Sequence, residues 1–338
     1  MVNFKSIAGI VFFITSAIGD GTTFLDHDKP IEGYGAKSWL KEQIPFIDIP
    51  DEVLQSVYYY RWSVTQRHLR YGYPGHGYVM TEFTVPIGYE SKLGGLSDAA
   101  GHQIYEGRWL RDPGPVEDFF RLWTRGGGNS NQYTHWILKS GLSHAEVTGD
   151  TDFLVEQLEG MKHVFEKWKG SYDENAGLYY FTPFYDAQEY SLPSYVWGDE
   201  DDLATGPLTY RPSLNAYMVA NARAIATVAD LAGESETSDN YTSIADDLEK
   251  AIMDHLWDPE QKFFVDVITP ENPNLEPISG REEVGFYPFR FGIGLEPEYM
   301  DPTIDQLYDP EGFNTEFGPP TIETRNQYYH AEKPDDYC

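Results

Sequence analysis

Two carboxylates, Asp186 and Glu189, lie three residues apart in the aromatic-rich stretch 185–191. A carboxyl group that is partly buried among aromatic side chains can keep its proton at neutral pH and donate it to a leaving oxygen. The alternative is that both are ordinary loop acids, with Asp186 capping a turn. The stretch leads towards residues 211–216, Arg-Pro-Ser-Leu-Asn-Ala, which predict the start of a buried helix. The pair therefore belongs to a loop that precedes a helix.

A second cluster alternates charged and aromatic residues over positions 105–112. Arg108 and Asp112 could hydrogen-bond sugar hydroxyls, and an indole such as Trp109 can stack on the face of a sugar ring. The alternative is a structural salt bridge within a loop. We predict a substrate subsite formed by Glu106, Arg108, Trp109 and Asp112.

Other residue types that could bind a metal or a cofactor lack the necessary spacing. His76, His102 and His135 are not accompanied by a close-spaced ligand pair such as His-Glu-x-x-His, so we predict no metal site. The single cysteine, Cys338, excludes an internal disulfide and cysteine-ligated metals. Residues 126–128 are glycines without the Gly-Lys-Ser/Thr ending of a phosphate loop, and we predict no cofactor.

Composition narrows the class of partner. The formal charge of −31 repels phosphate backbones and anionic lipid, so we expect neither nucleic acid nor a membrane as partner. A hydrophobic content of 41% with dispersed charges indicates a folded protein, and the 25 tyrosines suit a cleft that binds sugars.

The first fifty residues predict export followed by an extended segment. Lys5, an apolar run over 7–18 and small residues at 17–19 are typical of a signal peptide covering residues 1–19, which predicts a secreted protein. Pro30, Pro45 and Pro50 predict that residues 20–50 are extended.

One structural unit occurs twice. Helical patterns over 132–147 and 152–168 are followed by a β-hairpin at 173–180, and helices over 213–231 and 241–256 by a hairpin at 257–264. Further helices are predicted at 52–70, buried on more than one face, and at 115–123, whereas 71–114 predicts strands and loops. The fold class is therefore mainly α, an (α/α)6 toroid of helical hairpins with a cleft at one end and short β-hairpins in its loops.

This pattern resembles the mannosylglycerate hydrolase-like glycoside hydrolases, six-hairpin relatives of trehalase and processing α-glucosidase. In that group the general acid is the Asp of a Ser-Gly-x-Asp-x-Ser stretch, upstream of a helix that begins Asp-Leu-Asn-Ala. Residues 189–191 match the acid position and 213–216 the helix start, with Glu189 in place of Asp and Ser213 in place of the leading Asp. The resemblance, which covers residues 52 to the end, implies that Glu189 is the catalytic acid. We predict Asp186, Arg211 and Asn215 as substrate-binding residues.

What the resemblance implies is an inverting glycosidase that acts on an oligosaccharide or glycoside, in which a second carboxylate activates water. In the family that base lies beyond a segment like 318–325, so we expect residues 51–338 to be the N-terminal part of the domain, with an incomplete toroid and without the base. Glu316 and Glu323 are the tail carboxylates considered as substitutes, and we favour neither. Two alternatives remain: a non-catalytic glycan-binding remnant, or a sugar epimerase or lyase on the same fold that uses His102 or His135.

Overall fold

The structure, a computed structural model, describes residues 26–72, 74–85, 87–89, 93–199, 202–269 and 272–329. The predicted signal peptide at 1–19 and Cys338 lie outside the described residues. The chain divides into two compact units, Met1–Gln66 and Arg67–Cys338. Within the described residues, no helix is both long enough and apolar enough to cross a membrane.

The first unit contains α1 (Lys37–Gln43) and most of α2 (Glu52–His68). The prediction that residues 20–50 are extended is wrong for α1, because the prolines at 30, 45 and 50 all fall outside it. The expected helix at 52–70 is confirmed, but its burial on more than one face is not. Val53 is 73% exposed and Leu54 59%, whereas Tyr59 and Trp62 are buried.

The second unit is built from helices, several of them in antiparallel pairs. One helix lies within 71–114, where strands and loops were predicted. That helix contains Gly101, which does not break it. The ring of Trp136 packs against this glycine so closely that a Cβ there would lie 2.9 Å from its Nε1. The helices are α3 (Ser97–Gly107), α4 (Gly114–Thr124), α5 (Ile137–Thr148), α6 (Thr151–Val155), α7 (Leu158–Glu166), α8 (Leu192–Trp197), α9 (Pro212–Leu231), α10 (Ser235–His255), α11 (Tyr287–Arg290) and α12 (Pro297–Tyr308).

The strands form short antiparallel pairs. They are β1 (Leu69–Tyr71) with β2 (Tyr78–Met80), β3 (Tyr172–Asp173) with β4 (Leu178–Tyr179), β5 (Thr209–Tyr210) with β8 (Val267–Ile268), and β6 (Trp257–Asp258) with β7 (Phe263–Phe264). The hairpins predicted at 173–180 and 257–264 are confirmed as β3–β4 and β6–β7. The β5–β8 pair joins segments far apart in sequence, with Tyr210 opposite Val267.

Helix α9 is the core of this unit. It packs against α5, α7 and α10, and almost all of its side chains are buried, many of them alanines that allow neighbouring helices to approach closely. The Asn221 side chain joins α9 to the start of α5, because its Oδ1 accepts from the amides of Leu138 and Lys139 and its Nδ2 donates to the carbonyl of His135. The repeated order of helix, helix and hairpin is thus confirmed, and the first helix of the second repeat, α9, is the buried one.

Candidate active site

A pocket of about 440 Å³ lies where the first half of α3, the loop 183–191, the second turn of α9 and the segment 282–287 meet. This volume falls within the usual range for small-molecule sites. Its wall is rich in carboxylates and hydroxyls. The polar side chains on it include Asp98, His102, Thr134, Asp186, Glu189, Tyr217, Glu282, Glu283 and Tyr287.

Glu189 lies on this wall between two residues in a left-handed backbone conformation. Ala187 has φ 55° and Tyr190 φ 58°. Left-handed non-glycine residues are costly and cluster at functional sites, where the surrounding structure holds them in place. Ala187 occupies the position of the glycine in the Ser-Gly-x-Asp-x-Ser stretch, and its positive φ is a conformation that glycine adopts readily.

Behind the wall, Arg211 links the loop 183–191, called the acid loop because it carries Asp186 and Glu189, to the rest of the site. Its Nε donates to Oδ2 of Asp186 at 2.9 Å, and its Nη2 donates to Oε1 of Gln188 at 2.7 Å. Its Nη1 donates to Oδ2 of Asp266 at 2.9 Å and to Oε2 of Glu282 at 3.3 Å. The Arg211 side chain is only 2% exposed and does not line the pocket. The prediction that it binds substrate is therefore corrected: it positions other residues, because each of its guanidinium nitrogens is already engaged.

The strand pairing explains why the sequence brings these charges together. Arg211 follows β5 directly and Asp266 precedes β8, so the register of Tyr210 with Val267 places the two side chains next to each other. Glu282 then reaches the other end of the acid loop, where its Oε1 accepts from the amide of Leu192 at 2.7 Å. The loop that carries the proposed acid is held by this ion-pair cluster on both sides of residue 189.

The cluster is buried and has more carboxylates than cations, and both features shift the pKa values of its members. Burial raises the pKa of Asp266 to about 7, against the opposing effect of Arg211, and the charge of Glu282 raises it further. Burial also raises the pKa of Glu282. Burial works against the charge on Arg211, but three carboxylates keep its pKa above the ordinary value. The cluster therefore retains a proton close to neutral pH.

Asp186 lines the pocket, yet its carboxylate interacts with the protein. Its side chain is 3% exposed and accepts hydrogen bonds from Thr134, Arg211 and Ser213. A carboxylate with three protein donors is not a solvated turn cap, and most of its acceptor sites are occupied by the protein. These bonds make Asp186 an anchor for the acid loop, while its contact with substrate stays a prediction.

Three further carboxylates on the pocket wall, Asp98, Glu282 and Glu283, were not among the residues predicted from the sequence. Burial is the main cause that raises the pKa of each, and the charges of Asp186 and Glu189 add to the effect at Asp98. Asp98 lies in the first turn of α3, and His102, on the same face four residues later, also lines the pocket. If α3 had been predicted as a helix, the four-residue spacing of Asp98 and His102 would have placed both side chains on one face.

The cluster predicted over 105–112 lies at the opposite end of α3. At 1.5 Å per residue, Arg108 lies about 15 Å along the helix from Asp98. Its guanidinium carbon lies 3.2 Å from the centre of the Tyr105 ring, and the Asp112 side chain accepts from the amide of Gly114 at the start of α4. The subsite prediction is therefore corrected, because none of its members lines the described pocket: Glu106, Arg108, Trp109 and Asp112.

Asn215 likewise binds the protein backbone. It is fully buried, its Oδ1 accepts from the amide of Tyr179 at 2.8 Å, and its Nδ2 donates to the carbonyls of Tyr179 and Arg211. These bonds join β4 to the first turn of α9 and leave the amide no free donor. The predicted contact with substrate is replaced by a structural role.

Three further candidates lie outside the pocket wall. His135 is 2% exposed, and its Nε2 is 3.5 Å from Nε1 of Trp168. Glu323 is buried and pairs with Arg281 at 2.6 Å. Glu316 is exposed in the tail. Only His102 among the predicted histidines, and neither tail carboxylate, lines the pocket.

Comparison with solved structures identifies the fold. A structure named "Sialidase" superposes with a TM-score of 0.79 at 28% sequence identity, covering 88% of this chain and 26% of that one. The chain thus spans about a quarter of that protein's length. A GH63 mannosylglycerate hydrolase from Thermus thermophilus in complex with glucose gives a TM-score of 0.57 at 15% identity, covering 79% of each chain. A neutral trehalase from Saccharomyces cerevisiae gives 0.51 at 11% identity, covering 83% of this chain and 70% of that one.

These likenesses establish the six-hairpin glycosidase fold, an (α/α)6 arrangement of helical hairpins, which confirms the predicted fold class. A family model for the mannosylglycerate hydrolase MGH1-like glycoside hydrolase domain matches residues 92–338, which include every residue of the pocket wall. The chain belongs to the mannosylglycerate hydrolase MGH1-like glycoside hydrolase family.

Proposed function

We propose that this chain provides the acid half of an inverting glycoside hydrolase site, with Glu189 as the general acid. The observation that supports this most is the place of Glu189 in its loop. It lies on the pocket wall at the family's acid position, between two left-handed residues, in a loop that Arg211 and Glu282 hold from both sides. A proton donor must be fixed within hydrogen-bond reach of the leaving oxygen, and such a loop provides that rigidity.

Inversion also requires a carboxylate on the opposite face of the sugar to activate water, roughly 6.5–9.5 Å from the acid. Besides Glu189, two pocket carboxylates are not paired with Arg211, namely Asp98 and Glu283. The raised pKa of each is a disadvantage for a base, which must be ionised to accept a proton. We therefore keep the proposal that the general base is not among the described residues.

The test combines product stereochemistry with a variant of the acid. Oligosaccharides and aryl glycosides of both anomers are incubated with the protein, and the anomer first released is followed by ¹H NMR. Without a general base we expect turnover to be slow, any anomer released to be the inverted one, and Glu189→Gln to abolish its release without changing the unfolding midpoint. Release of the retained anomer would refute inversion. Sugar binding by the wild type without any turnover would favour a glycan-binding protein.

A second candidate, a sugar epimerase or lyase, depends on His102. This side chain faces the same pocket as Tyr217 and Tyr287, whose hydroxyls hydrogen-bond to each other. An imidazole and a phenol could form the acid–base pair that such reactions need. His102→Gln separates the two readings: it should abolish an epimerase or lyase, whereas a hydrolase that depends on Glu189 should retain its hydrolytic step.

We further propose that the protein is exported, on the strength of the signal-like sequence at 1–19 and of the Asn-Tyr-Thr sequon at 240–242, whose Asn240 is exposed. Expression of the full chain in a eukaryotic secretion host tests this. We expect mature protein in the medium that begins near residue 20 and carries a glycan at Asn240. Unprocessed protein retained in the cells would contradict the proposal.

A further inference from the structure

A second pocket, of about 410 Å³, lies where the turn of the β1–β2 hairpin meets α4, and we call it the α4 pocket. It shares no lining residue with the pocket that contains Glu189, and its volume also falls within the usual range for small-molecule sites. The molecule therefore has room for a ligand at a place that the proposed hydrolytic site does not use. The residues that line it include Tyr71, His76, Asp118, Arg121, Arg125 and Gly127.

The hairpin turn is fixed against α4 by the side chain of Asp118. Its Oδ2 accepts from the amide of Tyr78 at 3.1 Å, and its Oδ1 accepts from Nη1 of Arg121 at 3.3 Å. The backbone at Gly77, with φ 73°, passes so close that a Cβ there would clash with this carboxylate. Glycine at 77 thus lets the turn approach α4 and leaves Asp118 in place, so this wall of the pocket is formed before any ligand binds.

The two arginines on the wall differ in what they bind. Arg121 is engaged by the protein, because its Nη2 donates to Oε2 of Glu117 at 3.2 Å and its guanidinium carbon lies 4.6 Å from the centre of the Phe153 ring. Arg125 is exposed, and its side chain forms neither an ion pair nor a hydrogen bond with another residue that the structure describes. Its N–H donors are therefore available to a ligand in the pocket.

Tyr71 supplies an aromatic surface to the same pocket. The residue is 57% exposed, and the ring of Tyr78 packs against it nearly perpendicularly, with the ring centres 5.1 Å apart. This contact fixes the orientation of the Tyr71 ring and leaves more than half of the residue uncovered. A fixed and exposed aromatic ring can stack on the apolar face of a sugar.

An aromatic ring beside a free guanidinium and a carboxylate matches the chemistry of a sugar. Sugar hydroxyls both donate and accept, so Arg125 can donate to them. Asp118 can accept from them, since its side chain is 29% exposed and each of its oxygens accepts one bond from the protein. A phosphate or another small anion would use Arg125 alone, and the charge of Asp118 would repel it.

We propose that the α4 pocket binds a hexose unit of a glycan, at a place separate from the proposed hydrolytic site. A glycan chain held there by one sugar would be present at a raised effective concentration for a second contact elsewhere on the protein. The proposal goes beyond the proposed function and does not depend on Glu189 being the acid.

One backbone amide reports on this pocket and not on the other. The sequence contains a single His-Gly pair, His76–Gly77, so protein labelled with ¹³C-carbonyl histidine and ¹⁵N-glycine gives one filtered NMR signal, that of the Gly77 amide. Gly77 lines the α4 pocket and is absent from the wall that carries Glu189. The shift of this signal therefore measures binding at the proposed place.

Glucose, galactose, mannose and N-acetylglucosamine, which contain no glycosidic bond to hydrolyse, are titrated separately into the labelled wild type, and inorganic phosphate is titrated as the anion. We expect a saturable shift of the Gly77 signal with at least one sugar and none with phosphate. A shift with phosphate alone would assign the pocket to an anion and overturn the proposal. No shift with any sugar would also overturn it, and would leave Arg125 only the role of complementing the carbonyl end of α4.

Variants of exposed residues complete the test. Tyr71→Ala and Arg125→Gln should each weaken the affinity for the sugar by ~5-fold or more, whereas Tyr71→Phe, which keeps the ring, should bind as the wild type does. Arg111→Gln is the matched control, because Arg111 is exposed and lines neither pocket. Unchanged affinity in Tyr71→Ala, or equal losses in Arg125→Gln and Arg111→Gln, would overturn the proposal.

The variant of the proposed acid keeps this inference distinct from the proposed function. Glu189→Gln should leave the titration of the Gly77 signal unchanged, since the two pockets share no residue. If every glycoside failed to be hydrolysed, the proposed function would be wrong and binding at the α4 pocket would still be measured. A sugar-dependent Gly77 shift that Glu189→Gln removed would mean that the sugar acts from the other pocket, and would overturn the inference.

Discussion

Replacing Arg211 by Leu should be among the most destabilising single changes in this protein. Leucine has no group that could donate to the three buried carboxylates that now share the guanidinium, Asp186, Asp266 and Glu282. Removing one partner from a buried ion pair costs about 3–5 kcal/mol, because the remaining charge is left without compensation. We therefore expect the free energy of unfolding at pH 8 to fall by about 3–5 kcal/mol.

The loss should depend on pH in a defined direction. The folded protein holds the proton of Asp266 more tightly than the unfolded chain, since its pKa rises from 3.8 to about 7. Stability from this proton is complete below about pH 4 and is lost as the pH rises through about 7. Without Arg211 the buried carboxylates are protonated up to a higher pH, so the variant should lose less stability at pH 5 than at pH 8.

Urea unfolding at the two pH values, monitored by tryptophan fluorescence, measures the loss of stability and its dependence on pH. The buried side chains of Trp123, Trp136 and Trp168 report on unfolding. Arg223→Leu is the matched control: its partner Glu249 is 29% exposed, and a pair of this kind contributes about 0–1 kcal/mol. If the two variants lost equal stability, or if the Arg211 loss were the same at both pH values, the account of the buried cluster would be wrong.

Two further substitutions test the site's construction. Gly285→Ala would place a Cβ 2.3 Å from the carbonyl oxygen of Phe264, so we expect a loss of about 1–3 kcal/mol and weaker substrate binding in thermal and kinetic assays. Gly170→Ala, where a Cβ would meet nothing within 4 Å, serves as its control and should change neither quantity. Trp109→Ala should leave kcat/KM unchanged, because this half-exposed indole does not line the pocket; a tenfold or larger loss would restore the subsite predicted at 105–112.

Local signals in the sequence predicted most of the fold. The period of apolar residues located α5, α7, α9 and α10, and the turn residues located the β3–β4 and β6–β7 hairpins. Helix α3 was missed because its two glycines were interpreted as loop signals. One of them, Gly101, is required by the close approach of Trp136, a contact that no local pattern reveals.

The loop with Glu189 could be recognised in the sequence because it contains a local motif. The contacts of Arg211 could not be predicted, because they arise from pairing between distant segments of the chain. Glu189 was identified from its loop, and the structure places it on the pocket wall. The role of Arg211 depends on β5 pairing with β8, which brings Asp266 to it from 55 residues away. Because a sequence shows a charged residue but not the partners that surround it, Arg211 and Asn215 were predicted to bind substrate, although they bind the protein.

The most direct test of Glu189 as the general acid measures how the activity of its variant depends on the leaving group of the substrate. A glycoside with a poor leaving group needs protonation, so Glu189→Gln should lower its kcat/KM by about 10²–10⁴-fold. A dinitrophenyl glycoside or a glycosyl fluoride leaves without a proton, and its kcat/KM should remain near the wild-type value. Equal losses for both substrates, or no loss for either, would contradict the assignment of Glu189 as the acid.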